Sequence, residues 1–118
     1  MAGTSSPKRG EIWLVRLGAA GIGEPGKNRP AIVVQADQFG PYDDSDLIVV
    51  VPLSASRSPL PHRPAIPPSA GLDRPCVAVT RSLRGVSRAR LLRHLATVDD
   101  QTLGAVTFAL GRILGVTR

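Results

Sequence analysis

Apolar residues come in short β-branched blocks over most of the chain, and only near its end do they recur at helical spacing. Residues 11–17 (Glu-Ile-Trp-Leu-Val-Arg-Leu) predict a first strand that stops at Gly18. The glycine-rich residues 18–28 predict a long loop with the character of a flap. A second strand, covered on both faces, is predicted over 31–35, followed by a turn segment over 37–46 centred on Gly40-Pro41. Residues 47–51 (Leu-Ile-Val-Val-Val) predict a central strand, closed by Pro52 because proline cannot donate to a ladder. Residues 54–61 read as a polar loop, and 62–66, hemmed in by Pro61, Pro64 and Pro67, as an edge strand at most. A buried strand over 76–80, a basic irregular stretch over 81–90 and a last strand over 91–95 follow. In that last strand Arg93 and His94 point to opposite faces.

The period then changes. Leu103, Val106, Leu110, Ile113 and Leu114 form a helical stripe. Thr97-Val98-Asp99-Asp100 resembles a capping box at its start, and Gly115 can end it. Gly104 and Gly111 each cost about 1 kcal/mol against alanine, which makes sense where another backbone packs close, as at a subunit interface. Short strands closed by one helix predict a mainly-β single domain, a small and strongly bent β-barrel with a C-terminal α-helix. Residues 1–8 are expected to be a disordered tail and 9–118 the domain.

Charge adds a direction to this picture. The formal net charge is +6, and it is uneven: residues 1–56 hold five Lys/Arg against six Asp/Glu, residues 57–118 ten against three. Such a half invites a polyanion. Aromatic content of 3% allows only a small stacking platform for bases. The single cysteine, Cys76, makes no intramolecular disulfide and fits a cytoplasmic protein, and no apolar run reaches the ~18–20 residues of a membrane span. His62, His94 and one cysteine do not make a zinc site, and neither a Walker loop nor a dinucleotide fingerprint is present. Asp43, Asp44 and Asp46 lack the glycine and glutamate of an EF-hand and read as a solvated turn. No metal and no cofactor is expected.

Two positions remain that carry chemistry. Arg29 stands where the glycine loop becomes a strand, and Pro30 behind it keeps its backbone extended. Its guanidinium is a permanently charged fork suited to phosphate. Ser54 follows the central strand closely, so antiparallel pairing of the two strands brings Arg29 and Ser54 together. Arg9-Gly10-Glu11-Ile12-Trp13, then Gly23-Glu24 and Arg29-Pro30-Ala31-Ile32-Val33-Val34, then Val51-Pro52-Leu53-Ser54 resemble, in that order, the MazF/PemK (Kid) toxins. The likeness continues through Gly71-Leu72, residues 76–80 and the terminal helix.

That resemblance implies an SH3-like barrel that forms homodimers and cuts single-stranded RNA at short sequences without a metal. It also implies a MazE-like antitoxin whose disordered tail wraps the dimer. Arg29 matches the family's catalytic arginine, Ser54 an assisting Thr/Ser, and Glu24 a flap glutamate. Lys27, Asn28, Arg57, Arg81 and Arg84 are the expected RNA-binding residues. Arginine and serine are poor general bases, so the proton falls to a carboxylate such as Glu24 or to His62, and the sequence leaves both open. Two positions depart from the family pattern: Asn28 stands where many relatives have histidine, and Arg81-Ser82 where an acid and glutamine are common. A non-catalytic SH3-like module gripping RNA or a peptide through its basic half is the alternative reading.

Overall fold

Alternation of side chains builds the sheet. The computed structural model describes residues 6–18, 27–69 and 71–116. In β1 (Glu11–Arg16) Ile12 enters one apolar cluster while Trp13 and Val15 enter another. The same split runs through β2 (Asn28–Val33), where Ile32 parts from Ala31 and Val33. It recurs in β3 (Leu47–Ser54), where Val51 and Leu53 part from Ile48 and Val50. A strand buried on both faces is therefore the rule at the centre, as the near-continuous apolar runs predict. Strands β4 (Ala65–Ile66), β5 (Cys76–Ala78), β6 (Arg84–Ser87) and β7 (Leu91–Thr97) complete a seven-stranded sheet. Its order is β4-β5-β3-β2-β1-β7, with β6 also on β3, and every pairing is antiparallel. The sheet curls into a half-barrel around the Trp13–Val50–Leu91 cluster. Helix α1 (Asp100–Ile113) covers the other face with Val106 and Leu110. The expected mainly-β barrel with one C-terminal helix is the observed fold.

Some boundaries differ, each for a local reason. The central strand does not stop at Pro52 but runs on to Ser54. Pro52 O accepts from Val79 N (2.9 Å) on the side away from β2, and the missing N–H points the same way. That is the seam where β3 leaves β6 after Val50 and takes up β5 at Leu53, so no ladder bond is lost. The second strand starts at Asn28 rather than Ala31, because its first residues pair with β1 (Val15 with Arg29, Arg16 with Asn28). The basic stretch holds β6 between two 3-10 turns, Thr80–Ser82 and Arg88–Arg90, since Val86 reaches the core.

The helix is capped by Asp99, whose carboxylate accepts from Thr102 N (2.8 Å); Thr97 is still paired with Glu11 in the sheet. That backbone hydrogen bond holds the Asp99 carboxyl below the usual aspartate range. Gly115, with φ +74°, ends the last turn. Ile113 and Leu114 of the predicted stripe are exposed, and a Cβ on Gly104 would meet nothing within 4 Å, so among the described residues no other segment's backbone approaches it. Gly71 is the opposite case: φ is +91° and a Cβ there would lie 1.6 Å from Leu95 O. Of the expected tail, residues 1–5 lie outside the described residues; Pro7 is buried and Lys8 N donates to Glu11 Oε1 (2.8 Å). Among the described residues no helix is long and apolar enough to cross a membrane.

Candidate functional site

The β2–β3 ladder is in register with Ala31 opposite Pro52. Carried on by two residues, that register sets Arg29 across from Ser54. Period-two alternation aligns Arg29 with Ala31 and Val33, and Ser54 with Val50 and Pro52, so both side chains leave the same face. Here the two strands part, β2 held by β1 through Val15–Arg29 and β3 by β5 through Ser54–Val77. The ladders on either side thus fix both backbones where the gap opens between them. Arg29 is exposed and its guanidinium has no hydrogen bond to another described residue. Ser54 is half-buried; its hydroxyl lies 3.2 Å from Ser56 Oγ and accepts from Ser56 N (3.3 Å). Either hydroxyl of that pair can be the donor, so when Ser56 donates, the Ser54 proton is left to point outward.

The remaining expected residues fall into three groups. Lys27 and Asn28 are exposed at the start of β2, beside Arg29. Glu24 lies outside the described residues. Arg84 is exposed on β6 opposite Val50, two strands from Arg29. Arg57 and Arg81 are brought together with His62 around a cavity of about 220 Å³, with Arg63, Val79 and Ser82. A neighbouring cavity of about 290 Å³ shares His62 and Arg81 and adds Arg112 and Ile113 from the end of α1. His62 is half-buried, because the buried Thr80 hydroxyl donates to its carbonyl oxygen and pins that loop to the 3-10 turn carrying Arg81. No local pattern singles out Arg63 or Arg112; their place here depends on α1 packing over that turn.

Elsewhere, polar groups are consumed by the fold. Trp13 Nε1 donates to Glu11 Oε1 (3.0 Å), His94 stacks on the indole with centroids 5.7 Å apart, and the Arg88 guanidinium sits 5.1 Å over it. Asp46 Oδ2 accepts from Asp43 N (2.8 Å), which accounts for one of the three turn aspartates. Burial pushes the Cys76 thiol up, with Arg74 acting against it and Asp73 with it, so it is a poor nucleophile. Among the described residues no three His, Cys, Asp or Glu side chains cluster as metal ligands would.

Residues 8–114 match the model of the PemK-like, MazF-like toxins of type II toxin–antitoxin systems. The chain is 31% identical over 108 residues to the endoribonuclease MazF9 of Mycobacterium tuberculosis, covering 87% of this chain and 92% of that protein. It is 24% identical over 104 residues to the endoribonuclease EndoA of Bacillus subtilis, covering 87% and 90%. Its fold is similar to that of a mycobacterial endoribonuclease solved with its cognate antitoxin, at TM-score 0.76 and 22% identity over 96% of this chain and 99% of that one. MazF from Deinococcus radiodurans superposes with TM-score 0.73 at 25% identity, covering 95% and 99%. With the family model spanning nearly the whole domain, this chain belongs to the PemK-like, MazF-like toxin family of type II toxin–antitoxin systems.

Proposed function

We propose that this toxin is a metal-independent endoribonuclease that cuts single-stranded RNA, with Arg29 and Ser54 at the reacting phosphate. The observation that carries the reading is the β2–β3 register, whose last pair, Ala31 with Pro52, lies two residues short of Arg29 on one strand and of Ser54 on the other. RNA brings its own nucleophile. Its 2′-hydroxyl attacks the adjacent phosphorus, the bond to the 5′-oxygen breaks, and a cyclic phosphate and a 5′-hydroxyl remain. The protein needs to hold the strand in line and to stabilise charge that grows on the phosphoryl oxygens. Arg29 does so with two parallel N–H donors, and Ser54 adds a third from the opposite strand. The proton lost by the 2′-hydroxyl needs a base, for which Glu24 and His62 are the two candidates.

In this reading the working unit is a homodimer in the cytoplasm, restrained by an antitoxin whose extended acidic tail competes with RNA. A groove of about 620 Å³ lined by Phe39, Tyr42, Leu47, Leu83, Leu110 and Leu114 supports self-association. Phe39 is 63% and Leu47 64% exposed, an apolar surface that a second copy would cover. The test is incubation of purified protein with a defined RNA in EDTA, followed by analysis of the new ends. Cyclic phosphate with 5′-hydroxyl is expected. RNA that is bound yet stays intact would return the protein to the class of binding modules.

A further inference from the structure

Two adjoining cavities at the end of α1 share the His62 and Arg81 side chains. Together they present the guanidiniums of Arg57, Arg63, Arg81 and Arg112, and among the described residues no carboxylate lines either. Of the four, only Arg63 is engaged by another described residue, through Nε to Ser58 O (3.2 Å). Like charges gathered this closely repel one another unless an anion sits among them. We infer that these paired cups hold the backbone phosphates of the RNA strand that flank the one that is cut. This rests on the endoribonuclease reading above and adds to it a second, non-reacting contact site.

The cups are built features of the fold. Thr80 is fully buried, and its hydroxyl donates to His62 O, locking together the two residues that both cups share. Val79, which lines the smaller cup, donates its N–H to Pro52 O, two residues before Ser54. A strand whose cut phosphate lies at Arg29 and Ser54 therefore meets the cups next along the end of β3. The end of a helix carries partial negative charge, which would oppose an anion. Here the carbonyls of Leu110, Gly111 and Arg112 already accept from Leu114, Val116 and Gly115 N–H, and Arg112 adds a full positive charge. Guanidinium forks suit tetrahedral phosphate oxygens, and two small cups side by side suit successive phosphates of an extended chain. An acidic peptide would anchor through apolar side chains as well, yet the cups offer only Val79 and Ile113 for that purpose.

The probe is a 2′-O-methyl oligoribonucleotide, which lacks the nucleophile and stays intact while its affinity is measured against salt. Arg81→Ala and Arg112→Ala should each shallow the log–log salt slope by about 0.7, one phosphate contact on a single strand. With cleavable RNA both variants should raise KM far more than they change kcat. Thr80→Val keeps every charge but removes the tie between His62 and Arg81, and should weaken binding as well. Replacing single linkages by neutral methylphosphonates should find one position, outside the cut bond, that matters to the parent and no longer to Arg112→Ala. Folded variants with the parent's slope, from a parent that cuts RNA, overturn this inference alone. A parent that binds no RNA overturns both readings. Loss of polyglutamate binding with the RNA slope intact would assign the cups to a protein partner and also overturn it.

Discussion

The arginines of this chain divide into two populations, and their positions separate what holds the fold from what is left to act. Arg9 Nη1 donates to Val34 O and Nη2 to Thr107 Oγ1, stitching the N-terminal segment to the sheet and to the helix. Arg88 Nη1 donates to Leu91 O (3.0 Å) and Arg90 Nη1 to Arg16 O (3.1 Å). These side chains satisfy carbonyls at places where the ladder cannot. Arg29, Arg57, Arg81, Arg84 and Arg112 make no hydrogen bond or ion pair to another described residue. The one ion-pair contact among the described residues joins His94 to Glu11, and His94 carries charge there only when protonated. A net charge of +6 therefore says less than which guanidiniums the fold has left unengaged.

The contrast can be broken by removing one member of each population. Arg29→Ala should lower cleavage by at least ~10², the cost of losing a main stabiliser of transition-state charge, with an unchanged Tm. Near-normal turnover by that variant would remove Arg29 from the site. Ser54→Ala should cost ~10-fold in turnover, about 1.4 kcal/mol for one hydrogen bond. Turnover equal to the parent would leave Ser54 only its turn contacts with Ser56. Arg9→Ala should do the reverse of Arg29→Ala. It leaves Val34 O without its partner, at about 1–3 kcal/mol of stability, while cleavage per folded molecule holds. Thermal denaturation should show Tm falling by roughly 4 °C or more. An unchanged Tm would mean that Arg9 belongs with the unengaged group.

Sequence pattern located most of the sheet, because alternation over Glu11–Arg16 and the apolar run from Leu47 have few other interpretations. It misplaced the end of β3 because proline's penalty depends on where its missing N–H points, and that is set by β5 and β6, not by neighbouring residues. The helix cap moved from Thr97 to Asp99 since Thr97 was already taken by β1. The antiparallel β2–β3 pairing on which the Arg29 and Ser54 reading rests was legible because both strands are short apolar runs joined by a turn. The cups were not. Arg63, Arg81 and Arg112 meet only through a buried threonine and the docking of α1, contacts distant in sequence that no local pattern encodes. Likewise the basic stretch 81–90 looked uniform, yet Arg88 and Arg90 are bound into the fold while Arg81 and Arg84 are not.

The pairing of β1 with β7 has a consequence for biosynthesis. Glu11 meets Thr97 and Val15 meets Leu91, so the first strand made waits for the last. Until then β1 is an open edge, and the β2 end that carries Arg29 is braced on a strand with one neighbour missing. Contacts of such long sequence separation form late and slowly. A ribosome that stalls before Leu91 therefore yields a sticky, unfinished sheet and no working nuclease. On the endoribonuclease reading, no RNA is cut until β7 has been made and paired with β1.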